Sequence, residues 1–316
     1  MVTKLHHLPS RVQAQAAHLA KLRGFCENGQ LHDAMAAAQT MFHHQLPISS
    51  TILYCLIQGC IQNRDLDTGK RLYSLALDAR ENLLDSFLGC HFIHMFSLCG
   101  SLYEASSVFD RIHEPSVFCW SAIIQANVKY GQNQEAIYLY EKMHRKSACI
   151  SPDSHVFVAI LKACSNACEV MQGQVIHGNI VELSFQCDVV ITNALIDMYH
   201  RCGSLQDAFR MFCQSSKRDL VTWNSMISGF ANHKRCKEAY SLMEQMRCNG
   251  VEPNLVTWNS VLSGYALNGD YKKALEILEQ MQQAKIEPDC FTFTSLLKAC
   301  GAKGALSEGK WIHSQL

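Results

Sequence analysis

Residues 220–230 read LVTWNSMISGF, and residues 255–265, thirty-five positions later, read LVTWNSVLSGY, with eight identities in eleven. Self-similarity at such a period marks a chain built from copies of one supersecondary unit, none of which can bury its apolar face alone, so each must stack on its neighbours. Function in such an array is spread over equivalent positions, and a compact active site is not expected.

Three sub-patterns alternate. The first is the opening motif, with Trp120, Trp223 and Trp258 at its fourth position. The second carries Leu-x-x-Gly or a close variant, as in LDTGKRLY from Leu66, VMQGQVIH from Val170 and LSEGKWIH from Leu306. The third is CGSL followed by Ala and Phe, from Cys99 and again from Cys202. End to end, the units are expected at 15–49, 50–85, 86–116, 117–153, 154–188, 189–219, 220–254 and 255–289, with 290–316 incomplete and 1–14 a leader. Within 255–289, Trp258, Leu262 and Tyr265 fall at i, i+4 and i+7, and Ala274, Leu278 and Met281 repeat the spacing. Both are helical stripes. Asn268-Gly269-Asp270 between them supplies a stop and a cap, so each unit is expected to be a helical hairpin. Ser101-x-x-Glu104 and Ser204-x-x-Asp207 resemble capping boxes, and Pro115, Pro152, Pro253 and Pro288 mark the turns between units.

Composition narrows the function classes. At 316 residues the chain could hold two ordinary domains, but hydrophobic residues make up 48%, Pro only 6 residues, and no linker-like segment divides it. One continuous array is expected. Apolar runs are too short for a membrane span, so the chain is expected to be soluble, with no membrane partner. Lys plus Arg balances Asp plus Glu at 28 each, which excludes strong non-specific attraction to phosphates. The N-terminal stretch to Cys26 has no acidic residue and weakly resembles an organellar presequence. The sixteen cysteines recur at equivalent repeat positions, such as Cys164 and Cys300 closing LKAC, with no CxxC pair. They read as small buried apolar residues rather than metal ligands or disulfides. No metal and no cofactor is expected.

The pattern VTWNSxxSGxxxxGxxxxAxxxxxxM…PD resembles the pentatricopeptide repeat (PPR) family, and the rotation of unit lengths resembles its plant PLS class. The tetratricopeptide start is absent. The resemblance covers residues 15–316, with 15–49 the most degenerate unit. It implies an all-α, right-handed α-solenoid of stacked antiparallel hairpins that binds single-stranded organellar RNA, not DNA. By the same resemblance the fifth and last residues of each unit read one base. Those pairs are Ser121/Asp153, Val158/Asp188, Asn193/Asp219, Asn224/Asn254 and Asn259/Asp289, with Thr294 lacking its partner. In the family Asn with Asp favours U, Asn with Asn favours C, and Ser with Asp favours G, so 5′-GNUCU-3′ is expected in parallel orientation. Phe118, Val190, Val221, Val256 and Phe291, at the second position, would wedge between bases. Leu19/Ser49, Tyr54/Asp85 and Cys90/Ser116 have no clean reading.

Each sharp assignment has a plain competitor. Asn193, Asn224 and Asn259 could cap or polarise a helix start. The tryptophans lie on apolar stripes and read as core rather than as base-stacking platforms. His177 and His313 occupy equivalent positions and read as packing residues, not catalysts. Gly304 to Trp311 imitates a phosphate loop, but Trp stands where Ser or Thr must hold magnesium. Lys129 and Arg201, at thirteenth positions, could meet phosphates or simply sit at helix ends. Family members of this class often end in an editing extension and a zinc deaminase domain, and neither its HxE nor its CxxC element occurs here. The chain is therefore expected to have no catalytic residue and to be a recognition module for C-to-U editing or another organellar RNA-processing activity supplied in trans. Its location would be mitochondrial, or alternatively chloroplastic. A missing C-terminus is expected, since Leu316 falls inside a second helix. The rivals are a protein-interaction scaffold whose groove holds a peptide and a catalytic protein whose active domain is absent from this sequence.

Overall fold

The computed structural model describes residues 20–22, 24–25, 28–44, 49–78, 86–146 and 150–314; the leader 1–14, Leu19 and Asp85 lie outside them. Among the described residues seventeen helices have defined bounds and there is no strand. After α1 (Leu31–His43) the helices come in pairs: α2 (Ser50–Asn63) with α3 (Leu66–Asp78), α4 (Ser86–Leu98) with α5 (Leu102–Arg111), and α6 (Val117–Lys129) with α7 (Asn133–Lys146). Next are α8 (Ser154–Ala167) with α9 (Val170–Glu182), α10 (Val189–Arg201) with α11 (Leu205–Gln214), and α12 (Leu220–Asn232) with α13 (Cys236–Cys248). The last pairs are α14 (Leu255–Leu267) with α15 (Tyr271–Gln283) and α16 (Cys290–Lys303) with α17 (Leu306–His313).

The chain divides into two compact units, residues 1–156 and 157–316. In the first, α2 packs on α4 and α4 on α6; in the second, α10 packs on α12, α12 on α14, and α14 on α16. A second helix such as α5 or α13 touches the first helix of its own hairpin and that of the next. Each unit is thus a stack of antiparallel hairpins of the α-solenoid class.

The opening motif explains why. In α14 the residues Trp258, Val261, Leu262 and Tyr265 are buried, one helical face at i, i+3, i+4 and i+7. Gly269 then turns the chain at φ +75, a backbone conformation that costs an L-residue about 1 kcal/mol or more. Asp270 caps α15 by accepting the Lys273 backbone N–H at 3.1 Å, and α15 buries Ala274, Ile277, Leu278 and Met281. Gly264 serves a different end: a Cβ there would lie 2.9 Å from the Ala231 Cβ and 3.1 Å from its Cα, so α12 and α14 approach this closely only over a glycine.

Trp120, Trp223 and Trp258 are at most 2% exposed and belong to the core. Trp120 meets Phe109 edge-on at 4.7 Å, Trp223 meets Phe212 at 5.0 Å, and the Arg247 guanidinium lies 5.0 Å from the Trp258 ring. His177 accepts or donates at 2.9 Å to the Tyr199 hydroxyl of the neighbouring hairpin, whereas His313 is exposed. Of the two capping-box candidates, Ser101 accepts from the Glu104 N–H, but the Ser204 hydroxyl is spent on the Asp207 carboxylate and caps nothing. The phosphate-loop look-alike is a helix-to-helix turn, with Gly304 closing α16 and α17 starting at Leu306.

The fourteen cysteines among the described residues are free thiols. Burial pushes Cys60 and Cys164 up to about 12, so neither is a nucleophile at neutral pH. No group of three potential metal-ligating residues, and no helix long and apolar enough to cross a membrane, occurs among the described residues.

Candidate nucleic-acid interface

The first helices α12, α14 and α16 begin one residue after Asp219, Asn254 and Asp289. Each of these three side chains caps its helix: Oδ1 accepts the N–H of Thr222 at 2.8 Å, of Thr257 at 3.1 Å and of Thr292 at 2.9 Å. The threonine hydroxyl in turn accepts the cap's own backbone N–H, completing a capping box. The cap is therefore rigid before any ligand arrives.

Onto each cap reaches an asparagine from the preceding hairpin. Asn193 Nδ2 donates to Asp219 Oδ1 at 3.3 Å, Asn224 Nδ2 to Asn254 Oδ1 at 3.3 Å, and Asn259 Nδ2 to Asp289 Oδ1 at 3.1 Å. The fifth residue and the last residue of the expected units are thus in direct contact in three successive hairpins of the second compact unit. The asparagines are not caps themselves. The capping is done by the residues they bond to, so the cap half of that plain competitor falls.

The carboxylates are held ionised. Backbone N–H donation from Thr292, working against partial desolvation and aided by the Thr292 hydroxyl and the Asn259 amide, keeps Asp289 below the usual carboxylate range. Partial burial would raise Asp219, but the Thr222 backbone and hydroxyl and the Asn193 amide together lower it.

The second-position residues Phe118, Val190, Val221, Val256 and Phe291 are 54 to 66% exposed. Around Asn259, Val256 and Phe291 flank a cleft of about 280 Å³, lined also by Asn259, Asp289, Ser260 and Ser263 among others. One polar pair and two apolar walls suit a flat heterocycle. The four residues Val-Thr-Trp-Asn of the opening motif hence divide their work: Val faces out, Thr completes a cap, Trp fills the core, and Asn reaches the next hairpin's cap.

Other pairs are less complete. The Ser121 hydroxyl, nearly buried, accepts from Gln125 Nε2 at 2.9 Å, while Asp153 caps α8 through the Val156 N–H; no hydrogen bond joins the two among the described residues. Val158 offers no polar atom, and Asp188 caps α10 through the Val190 and Ile191 N–H groups. Thr294 is exposed and bonds the Phe291 carbonyl. Ser49 and Ser116 precede α2 and α6 without a side-chain cap bond, and the Cys90 thiol donates to the Phe87 carbonyl.

Lys129 is occupied, donating to the Ser97 carbonyl at 2.7 Å, and Arg201 pairs through Nε with Asp197 at 2.8 Å. Desolvation would raise Asp197, yet bonds from His200 and Arg201 and the nearby Lys162 charge hold it far below the carboxylate range. Phe87, 53% exposed at the second position of 86–116, was not expected from the sequence, although counting from the same register would find it. It packs edge-on against His91 at 4.7 Å and lies 6.1 Å from the Tyr54 ring.

Residues 118–147 and 190–220 match the PPR repeat model, and residues 218–257 and 253–302 match the PPR repeat family. The chain carries pentatricopeptide repeats. Among curated relatives, the Arabidopsis thaliana pentatricopeptide repeat-containing protein At1g15510, chloroplastic, is 31% identical over 228 residues, covering 72% of this chain and 26% of its own length. Another from Arabidopsis thaliana, At1g59720, chloroplastic/mitochondrial, is 34% identical over 165 residues, 51% of this chain and 25% of its own length. The chain spans about a quarter of the length of these curated PPR relatives. Among solved structures, the pentatricopeptide repeat protein PPR10 in complex with an 18-nt psaJ RNA element matches with a TM-score of 0.76 and 17% identity, over 94% of this chain and 44% of that one. That likeness establishes the PPR fold.

Proposed function

We propose that this chain is a sequence-specific single-stranded RNA-binding protein of organellar RNA processing, in which the hairpins beginning at 117, 154, 189, 220 and 255 each take one nucleotide. The observation that carries the proposal is the hydrogen-bonded fifth and last residue beside an exposed apolar side chain, repeated in three hairpins.

Its chemistry follows from which atoms remain. Oδ1 of Asp219, Asn254 and Asp289 is consumed by the cap and by the asparagine. Left over are a carboxylate oxygen, Oδ2, in Asp219 and Asp289, and an amide nitrogen, Nδ2, in Asn254. Uracil carries a hydrogen on N3 and cytosine a lone pair, so the acceptor suits U and the donor suits C. The second amide hydrogen of each asparagine suits a pyrimidine carbonyl oxygen. The second compact unit then reads N-U-C-U, with Val158 uninformative, and Ser121 with Asp153 extends this to 5′-GNUCU-3′. Second-position side chains supply contact that is indifferent to sequence.

Relatives named chloroplastic and chloroplastic/mitochondrial, and the RNA bound by PPR10, support an organellar RNA-binding role. Within it we assign the chain to the PLS class and to recognition for C-to-U editing, in a mitochondrion or, alternatively, a chloroplast. The bond-breaking chemistry falls to a factor acting in trans. A peptide-binding scaffold would leave the spare Oδ2 atoms of Asp219 and Asp289 and the spare Nδ2 of Asn254 without a role.

Binding to a panel of single-stranded RNAs containing GNUCU or permutations of it tests the proposal. Preference for GNUCU is expected, and Asn259→Thr combined with Asp289→Asn should move the last position from U toward A. Equal affinity for all RNAs would overturn it.

A further inference from the structure

The two amides that share one sequence context, Asn224 and Asn259, are held in the same way, and the third is not. Thr257 Oγ1 lies 2.6 Å from Asn224 Oδ1 and 3.1 Å from Asn254 Oδ1; Thr292 Oγ1 lies 2.6 Å from Asn259 Oδ1 and 2.9 Å from Asp289 Oδ1. A hydroxyl has one hydrogen, and in both cases the shorter contact is to the preceding hairpin's asparagine. Each of these amides is thereby fixed at both ends: oxygen toward threonine, nitrogen toward the cap.

The third pair lacks the first of these bonds. Thr222 Oγ1 donates to Asp219 Oδ1 at 2.8 Å and not to Asn193, whose Oδ1 is buried with no hydrogen-bond partner among the described residues. Asn193/Asp219 and Asn259/Asp289 are the same residue pair, so any difference in base selection between them reports the threonine bond.

Resting on the base-reading function proposed above, we infer that Thr257 and Thr292 are positioning residues that lock the amides of Asn224 and Asn259 in the pyrimidine-selecting orientation, and that Asn193 reads its base without this lock. An amide turned over presents oxygen instead of nitrogen. Beside the spare Asp289 oxygen it would make two acceptors, which match the adjacent N1–H and N2–H donors of guanine. Beside Asn254 Nδ2 it would make an acceptor and a donor, which match the amino group and N1 of adenine. The lock excludes purines.

The test measures affinities of the full chain for oligoribonucleotides that vary one nucleotide of GNUCU. In the wild type, U over G should be stronger at the nucleotide of Asn259 than at that of Asn193. Thr292→Val should lower U over G at its own nucleotide, on the order of three- to tenfold, the scale of one net hydrogen bond. Thr257→Val should lower C over A similarly. Thr292→Ser, which keeps the hydroxyl, should retain the preference. Thr222→Val removes the same capping acceptor without touching an asparagine and should leave selection by Asn193 unchanged. If Thr222→Val loses selectivity as Thr292→Val does, capping rather than locking is responsible and the inference falls. Wild-type discrimination that survives both Thr257→Val and Thr292→Val also overturns it. A wild type with no preference at any of the three nucleotides overturns the base-reading function and the lock together.

Discussion

At the scale of single residues, the notable economy lies in Asp219, Asn254 and Asp289, each of which starts a helix, orients a neighbour and keeps one atom in reserve. Asp289→Asn replaces the reserved acceptor by a donor while leaving a residue that caps about as well. We expect it to switch the last position from U to C by on the order of tenfold, with stability changed by less than ~0.5 kcal/mol, both read from RNA titrations and denaturant unfolding. The same carboxylate gives a pH dependence. Because Thr292 donation holds Asp289 below its ordinary value, its contribution to stability is complete above that value and is lost as pH falls through the depressed one. Unfolding midpoints of wild type should therefore drop faster below about pH 4 than those of Asp289→Asn. An identical fall in both would show that the cap does not titrate.

At the scale of elements, α14 separates two kinds of large apolar residue, one buried as Trp258 and one displayed as Val256. Trp258→Ala should cost about 3 to 5 kcal/mol, as core aromatic truncations do, whereas Phe291→Ala, on an exposed position of α16, should leave stability nearly unchanged. Phe291→Ala should instead weaken every RNA alike, by about 1 to 3 kcal/mol, with preferences intact. The hairpins were legible in sequence because turn chemistry and apolar period coincide: Asn268-Gly269-Asp270 is a stop and a cap whatever surrounds it. The tryptophans were legible as core for the same reason. The asparagine-to-cap pairs were legible only through the family resemblance and their bonds not at all, since the partners lie 26 to 30 residues apart and only the stacking of first helices brings them together. Local pattern also misled at Ser204, where Asp207 captures the hydroxyl that the capping-box spacing assigns to the backbone. The third-position threonine, as in Thr257 and Thr292, had no role assigned to it by sequence pattern. Its bond to the previous hairpin has no counterpart in linear spacing.

At the scale of the whole molecule, 28 acidic side chains match 28 basic ones, so under the proposed function affinity for RNA would rest on local hydrogen bonds and stacking more than on counterion release. The slope of log affinity against log salt should accordingly be shallow, on the order of one to two released ions. A steep slope with no sequence preference would mark a phosphate-binding protein instead. One consequence of the shared cap reaches further. Under the proposed function a last residue must begin a helix as well as read a base, so the spellings open to this protein would be those written in Asp, Asn, Ser and Thr. Such substitutions barely disturb the scaffold. The vocabulary of targets is therefore small, but moving between its words is cheap, and a new RNA address needs changes at helix starts without any rebuilding of the stack beneath them.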